Sequence, residues 1–225
     1  MFLQAHQLTI PTEARDYPEW HKGREDYALW YIEIKQPELI TYLNQLRQQC
    51  FNYLLQPNMR QFHITLWICG FLKQDCMQWN DDFSQDQFQQ QLARLESTHF
   101  KTFKLSTGQI KSFESALFIE ILDVENSLSK IRNLFSSSHS NSHQEIAALE
   151  YCPHITLGLY QAEFKAEHIF NAISALPQKT FEISIDHLTF GFYKAKILQD
   201  ELYPLHQHKF DQNSVKQTLF QEQNR

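Results

Sequence analysis

Glycine is scarce in this chain, with 5 copies in 225 residues, and proline numbers only 7. With 18 phenylalanines against so few breakers, the chain is no collagen-like, low-complexity or disordered polypeptide. A surplus of positive charge is missing too. The formal net charge of −6 is a poor footprint for gripping a long nucleic-acid duplex through many phosphates, whereas a small ligand or a nucleic-acid end remains compatible. Cys50, Cys69, Cys76 and Cys152 show no C-x-x-C pairing, so four free thiols in a reducing compartment are expected. Apolar runs such as Ile64 to Cys69 fall far short of the roughly 20 residues of a membrane span, and the first 20 residues contain no apolar signal core. The expectation is a cytoplasmic monomer with no membrane partner.

What the chain does have is enough apolar material, 42% of residues, to build a core without disulfides or a structural metal. It also repeats itself. Ala28-Leu-Trp-Tyr-Ile-Glu-Ile34 is echoed by Ala116-Leu-Phe-Ile-Glu-Ile121, one residue shorter. A helical pattern follows each: residues 37–55 with Leu39, Leu43, Leu46 and Cys50, and residues 124–135 with Val124, Leu128, Ile131 and Phe135. Each copy then reaches a strand bearing His-Ile-Thr-Leu, at His63 and at His154. Further helices are predicted over 86–96 and 162–176, and Phe103-Lys-Leu-Ser resembles Phe181-Glu-Ile-Ser at the start of a later strand. The predicted class is α+β: two pseudo-symmetric lobes, each an antiparallel sheet with flanking helices, around a central groove. The lobes should span roughly 27–113 and 114–210 of one bilobal domain, with strands free to exchange between them. Residues 1–26 and 211–225 are peripheral in this scheme, and the polar run 136–143 reads as a mobile loop.

Successive side chains of a strand alternate faces. His63, Thr65, Trp67 and Cys69 should share one face, opposite Phe62, Ile64, Leu66 and Ile68. In the second copy, His154, Thr156, Gly158 and Tyr160 oppose Ile155, Leu157 and Leu159. In the repeated first strands, parity puts Tyr27, Tyr31, Glu33, Phe118 and Glu120 on the same side as the histidines. Tyr27, Tyr31, Trp67 and Tyr160 are therefore candidate substrate-binding aromatics, as stacking platforms for a base; the plainer alternative is that they only cover sheet surface.

A lone His-x-Thr on a strand is commonly a histidine satisfied by a backbone carbonyl. Two identical tetrapeptides in matching positions of a repeat are not explained by packing alone. Phe62-His63-Ile-Thr65-Leu-Trp-Ile-Cys-Gly70-Phe71 and Cys152-Pro153-His154-Ile-Thr156-Leu-Gly158 resemble the paired motifs of the 2H phosphoesterase superfamily, and in particular members related to bacterial RNA 2',3'-cyclic phosphodiesterases, the so-called 2'-5' RNA ligases. That resemblance spans about residues 27–208 as a topology and is specific around the two motifs. It implies His63 and His154 as catalytic acid and base, Thr65 and Thr156 as phosphate-binding hydroxyls, and chemistry without metal or cofactor.

Histidine suits such a reaction because its ordinary pKa lies near operating pH. Which of the two is base and which acid stays open at this point, as does the direction of ring opening. The expected activity is hydrolysis of a nucleotide or RNA-end phosphodiester, foremost a 2',3'-cyclic phosphate, with a nucleotide or short RNA as partner. The alternatives are a cyclic oligonucleotide signal or a 2'-5'-linked oligonucleotide as substrate, or a module that binds a nucleotide or RNA end without turnover. Lys22, Arg24, Lys104 and Lys111 are candidate local charges for an RNA end. A metal site is the competing use of two histidines, but no His-x-x-x-His pair and no carboxylate at ligand spacing accompanies them.

Overall fold

The computed structural model describes residues 1–73, 77–136 and 151–211. A short helix α1 (Pro18–His21) leads into β1 (Asp26–Glu33), α2 (Pro37–Gln49), β2 (His63–Lys73) and the three-residue β3 (Asp82–Ser84). Then come α3 (Gln85–Thr98), β4 (Phe103–Ser112), β5 (Ala116–Leu122) and α4 (Ser127–Ser136). The chain continues through β6 (His154–Leu159), α5 (Ala166–Ala175), β7 (Glu182–Ile185), β8 (His187–Lys194) and β9 (Tyr203–Lys209).

Local chemistry sets the helix ends. Ser84 and Gln87 close a capping box at the start of α3, satisfying two backbone N–H groups reciprocally. Asp123 accepts from the N–H groups of Ser127 and Leu128, so α4 begins later than the apolar pattern predicts and Val124 is left exposed. Helix α2 stops at Gln49, short of 55. The chain leaves it to lay Leu54 beside Tyr160, with Leu55 N–H donating to the Leu159 carbonyl.

The strands form one curled sheet in the order β7-β4-β5-β6-β2-β1-β8-β9, with β3 parallel beside β2 and every other pair antiparallel. This is the α+β class and the antiparallel sheet read from the repeat. Outward from the central β2–β6 pair the strands run β1, β8, β9 on one side and β5, β4, β7 on the other. Strand β4 follows the first motif in sequence yet pairs with β5, while β8 follows the second motif yet pairs with β1. Each structural half thus draws a strand from the other half of the sequence. One continuous apolar core takes Leu39, Leu43 and Leu46 of α2, Leu95 of α3, Leu128, Ile131 and Phe135 of α4 and Ile169 of α5 onto one face of the sheet, which supplies Trp30, Ile64, Ile119 and Ile155 among others. The opposite face is left for the motifs.

Residues 1–12 lie along the β4–β5 hairpin and the approach to α5. Phe2 bridges to Phe113 and Leu8 to Lys165, and the buried Thr9 donates its hydroxyl to the Ala162 carbonyl. Residues 137–150, which include most of the predicted polar loop, lie outside the described residues, as do Cys76 and the tail beyond Asp211.

Candidate active site

The only bridging pair between β2 and β6 is Ile64 with Ile155, and both side chains are fully buried in the core. Antiparallel register then sets His63 opposite Thr156 and Thr65 opposite His154 on the other face. Cross-strand Cβ atoms lie about 5 Å apart, and residues two apart on a strand about 7 Å. The four side chains therefore mark a small rectangle with the histidines on one diagonal and the threonines on the other. All four are half-buried.

Neighbouring strands extend this into two rows. Glu33 pairs with His63 and Tyr31 with Thr65 on one side; Glu120 pairs with His154 and Phe118 with Thr156 on the other. The sequence repeat has become a two-fold arrangement in space. The ring of Tyr31 meets His63 edge-on at 6.0 Å, and the ring of Phe118 meets His154 at 5.3 Å. Glu33 is ion-paired with Lys35 at 3.2 Å and Glu120 with Lys111 at 2.6 Å.

Parity holds only as far as Leu66 and Leu157. Across from Trp30 and Tyr31 stand Trp67 and Thr65, so Leu66 is an extra residue; Leu157 is likewise extra opposite Leu117 and Phe118. A bulge in each motif strand turns the following side chains over. This corrects the reading of Trp67 and Tyr160 as substrate-binding aromatics. Trp67 is buried in the core beside Phe135, and Tyr160 is buried there with its hydroxyl 2.6 Å from the Ser112 hydroxyl. The same flip buries Cys69 and leaves Ile68 36% exposed, whereas Leu159 stays outside the core cluster. Tyr27 is not brought to the histidines either. It pairs with Phe71, six residues along β1 from Glu33, and its ring packs against Trp20, Phe71 and Tyr193. Of the four candidate aromatics only Tyr31 reaches the motifs, and it is 1% exposed, clustered with Leu29 and Leu202 and edge-on to His63, so it supports the histidine and offers no face to a base.

Each imidazole is held the same way. His63 Nδ1 lies 2.8 Å from the Gln61 carbonyl and His154 Nδ1 lies 2.7 Å from the Cys152 carbonyl. A carbonyl can only accept, so Nδ1 carries the hydrogen and the lone pair of each neutral ring sits on Nε2. Burial lowers both pKa values. His63 falls to about 4, helped by the positive charges of Arg60 and Arg47 and by His154 itself; His154 falls with no such cation among the described residues bearing on it. Arg60 is set over the Tyr193 ring at 3.9 Å and donates to the Asp200 carbonyl.

A sequence model of the 2'-5' RNA ligase superfamily matches residues 36–197, which is most of the chain and contains both motifs. The chain belongs to that superfamily. Solved structures agree in fold. Escherichia coli LigT complexed with 3'-AMP superposes with a TM-score of 0.52 at 14% identity, covering 84% of this chain and 99% of that one. A conserved protein of unknown function, ATU0111 from Agrobacterium tumefaciens, gives 0.52 at 12% identity over 81% and 85%, and TT0787 of Thermus thermophilus gives 0.51 at 11% identity over 82% and 97%. No curated protein matches the chain. Membership in this phosphoesterase superfamily is consistent with phosphodiester-processing chemistry.

Within the 2'-5' RNA ligase superfamily fold, several residues near the motifs escaped the sequence reading. Phe113 meets the His154 ring edge-on at 5.1 Å and stacks on Phe118 at 4.1 Å, and Phe2, 42% exposed, packs on both phenylalanines. Phe113 sits in a hairpin turn and Phe2 far outside the repeat, so no motif pointed to either. Arg24, a candidate for an RNA end, is instead buried against Asp81 and Asp82, and Lys104 and Lys111 are ion-paired with Glu182 and Glu120. Among the described residues no group of three or more His, Cys, Asp or Glu side chains is placed to share a metal ion, and no helix is long and apolar enough to cross a membrane.

Proposed function

We propose that this protein is a metal-independent phosphodiesterase that opens a 2',3'-cyclic phosphate on a nucleotide or RNA end by two-histidine acid–base catalysis. The observation that carries the reading is the crossed rectangle, with two outward Nε2 atoms on one diagonal and two hydroxyls on the other. A phosphate at its centre has a proton-transfer group on each side of the phosphorus, as displacement of one oxygen by another requires. The threonine hydroxyls then face the non-bridging oxygens, where charge builds in the transition state.

Of the two rings, His63 is the one burdened by neighbouring cations, so at a given pH a shared proton resides on His154. We therefore assign His63 as the base that takes the proton of the attacking water. His154 is the acid that protonates the departing ribose oxygen, and the roles exchange in the reverse direction. Phe2, which is exposed, and the half-buried Phe113 beside His154 offer an apolar wall on which a base can stack. LigT has been crystallised with 3'-AMP, a ligand of the same nucleotide class.

The test is turnover of 2',3'-cyclic mononucleotides, cyclic dinucleotides and 2'-5'-linked oligonucleotides in excess EDTA. Hydrolysis of the 2',3'-cyclic substrates at an undiminished rate is expected. Loss of activity with chelator and its return with one divalent ion would overturn the metal-independent mechanism, and tight binding without turnover would make the protein a binding module.

A further inference from the structure

Helix α2 belongs to the first copy of the repeat and α4 to the second, yet α2 packs against β6 and α4 against β2. From α2, Arg47 Nε donates to the Leu157 carbonyl at 2.6 Å; from α4, Arg132 Nη1 donates to the Leu66 carbonyl at 2.6 Å. These carbonyls belong to the two bulge residues that end the His-x-Thr faces. A second donor accompanies each arginine from its own copy: Asn58 Nδ2 to the Leu157 carbonyl at 3.1 Å, and the Tyr151 hydroxyl to the Thr65 carbonyl at 3.0 Å. The crossing is itself repeated in the sequence. Leu43-Asn-Gln-Leu46-Arg47 and Leu128-Ser-Lys-Ile131-Arg132 place arginine directly after a fully buried residue of each helix.

Both guanidiniums are largely withdrawn from water, and burial lowers the pKa of each, Arg47 to about 10. Arg47 lies 3.9 Å over the Phe62 ring and Arg132 lies 4.0 Å over the Tyr151 ring. Among the described residues neither has a carboxylate within ion-pair distance. Holding a cation without a counter-ion there costs solvation free energy, and what it gains is a charge-assisted bond to the bulge of the other copy. That bond is needed because the ladder supplies so little. Strands β1 and β2 share seven partnered residues and β5 and β6 share five, whereas β2 and β6 share one.

We propose that Arg47 and Arg132 are positioning residues that lock the two motifs to one another, each clamping the bulge that follows the opposite histidine. The separation of the two imidazoles is then set by a pair of crossed side-chain braces rather than by strand pairing. This rests on the reading of the two motifs as one reaction centre, so the test uses one measurement that needs no turnover. The imidazole signals of His63 and His154 are followed by NMR across a pH titration of the full chain, beside kcat and KM on a 2',3'-cyclic nucleotide.

Arg47→Met should displace the signals of His154, although that residue lies in the other copy, and raise the titration midpoint of His63 by removing a nearby cation. It should lower kcat about 10-fold or more, since small misplacements of reacting groups are costly, while KM changes by no more than about twofold; Arg47→Lys should recover most of the loss. Arg132→Met should displace His63 in the same fashion. Arg94→Met is the control, because it breaks another arginine-to-carbonyl bond to the same helix, at Leu134 of α4, and leaves the Arg132 brace in place; it should lower the melting temperature and leave both histidines unmoved. Folded Arg47→Met and Arg132→Met proteins with wild-type titrations and kcat would overturn the proposal. Should Arg47→Met not fold, Arg47→Gln is read in its place, and failure of both to fold would make the arginine a folding determinant and equally overturn it. Displaced imidazoles in a protein whose wild type turns over no phosphodiester would uphold the braces and sink the reaction assigned to them.

Discussion

In the first copy of the repeat, His63 has Glu33 and Tyr31 beside it and two cations, Arg60 and Arg47, bearing on its charge; in the second, His154 has Glu120 and Phe118 beside it and a wall of phenylalanines. The residues at the centre are related by a two-fold axis, but their surroundings are not. Duplication can supply two identical histidines, yet acid–base work at one pH calls for two that hold protons differently. Here the unlike surroundings, built by residues 1–12, the β4–β5 turn and the segment around Arg60, make equivalent residues inequivalent.

The largest effect that bears on this comparison is loss of either histidine. His63→Ala and His154→Ala should each reduce turnover about 100-fold or more, because each removes a proton-transfer partner, with substrate affinity changed little. A loss confined to one of the two, measured by steady-state kinetics on folded protein, would break the claim that both copies act.

The walls come next. If the base stacks beside His154, Phe113→Ala and Phe2→Ala should each raise KM by roughly 5- to 30-fold, equivalent to about 1–2 kcal/mol per stacked base, and leave kcat nearly unchanged. Tyr31→Phe on the other side should do neither. Equal sensitivity of the two sides would erase the asymmetry.

The smallest effect sharpens the comparison through pH. In the free protein both histidines lie below the ordinary value of 6.5, His63 at about 4. His154, proposed as the acid, loses its proton as pH rises through its lowered pKa, and His63, proposed as the base, gains one only as pH falls towards 4. The value of kcat/KM should therefore peak below pH 6.5 and decline through neutrality. A bound phosphate anion favours both protonated rings, so the optimum for kcat should lie at higher pH than that for kcat/KM. Arg60→Met should move only the acidic limb, and to higher pH. Profiles in which kcat/KM keeps rising from pH 6.5 to 8 would contradict the assignment.

Much of this was readable in the sequence, because periodicity and repetition are local signals. The α+β class, the helices over α2, α3 and α4, and the burial of Ile64 and Ile155 under the motifs follow from apolar spacing alone. Strand parity carried Tyr31, Glu33, Phe118 and Glu120 to the right face as well. It failed at Trp67 and Tyr160 because a single extra residue, Leu66 or Leu157, reverses everything after it, and nothing in the local composition marks the bulge. Phe2 and Phe113 were illegible for different reasons: Phe113 lies in a turn and meets His154 across 41 residues of chain, and Phe2 joins it only through a long-range bridge from outside the repeat. The two arginines were visible as a repeated helix pattern, but not as braces, since Arg47 bonds to a carbonyl 110 residues away and Arg132 to one 66 residues away, each in the other copy.

The central claim is that His63 and His154, one from each copy, serve a single transition state. A double-mutant cycle tests it most directly: kcat for wild type, His63→Ala, His154→Ala and the double variant on one 2',3'-cyclic nucleotide, with circular dichroism on each protein. Groups that act as a unit are strongly non-additive, so the double variant should be little slower than the slower single variant. A double variant slowed by the full product of the two single losses would mean independent contributions, and one that retained the wild-type rate would show that the reaction centre lies elsewhere.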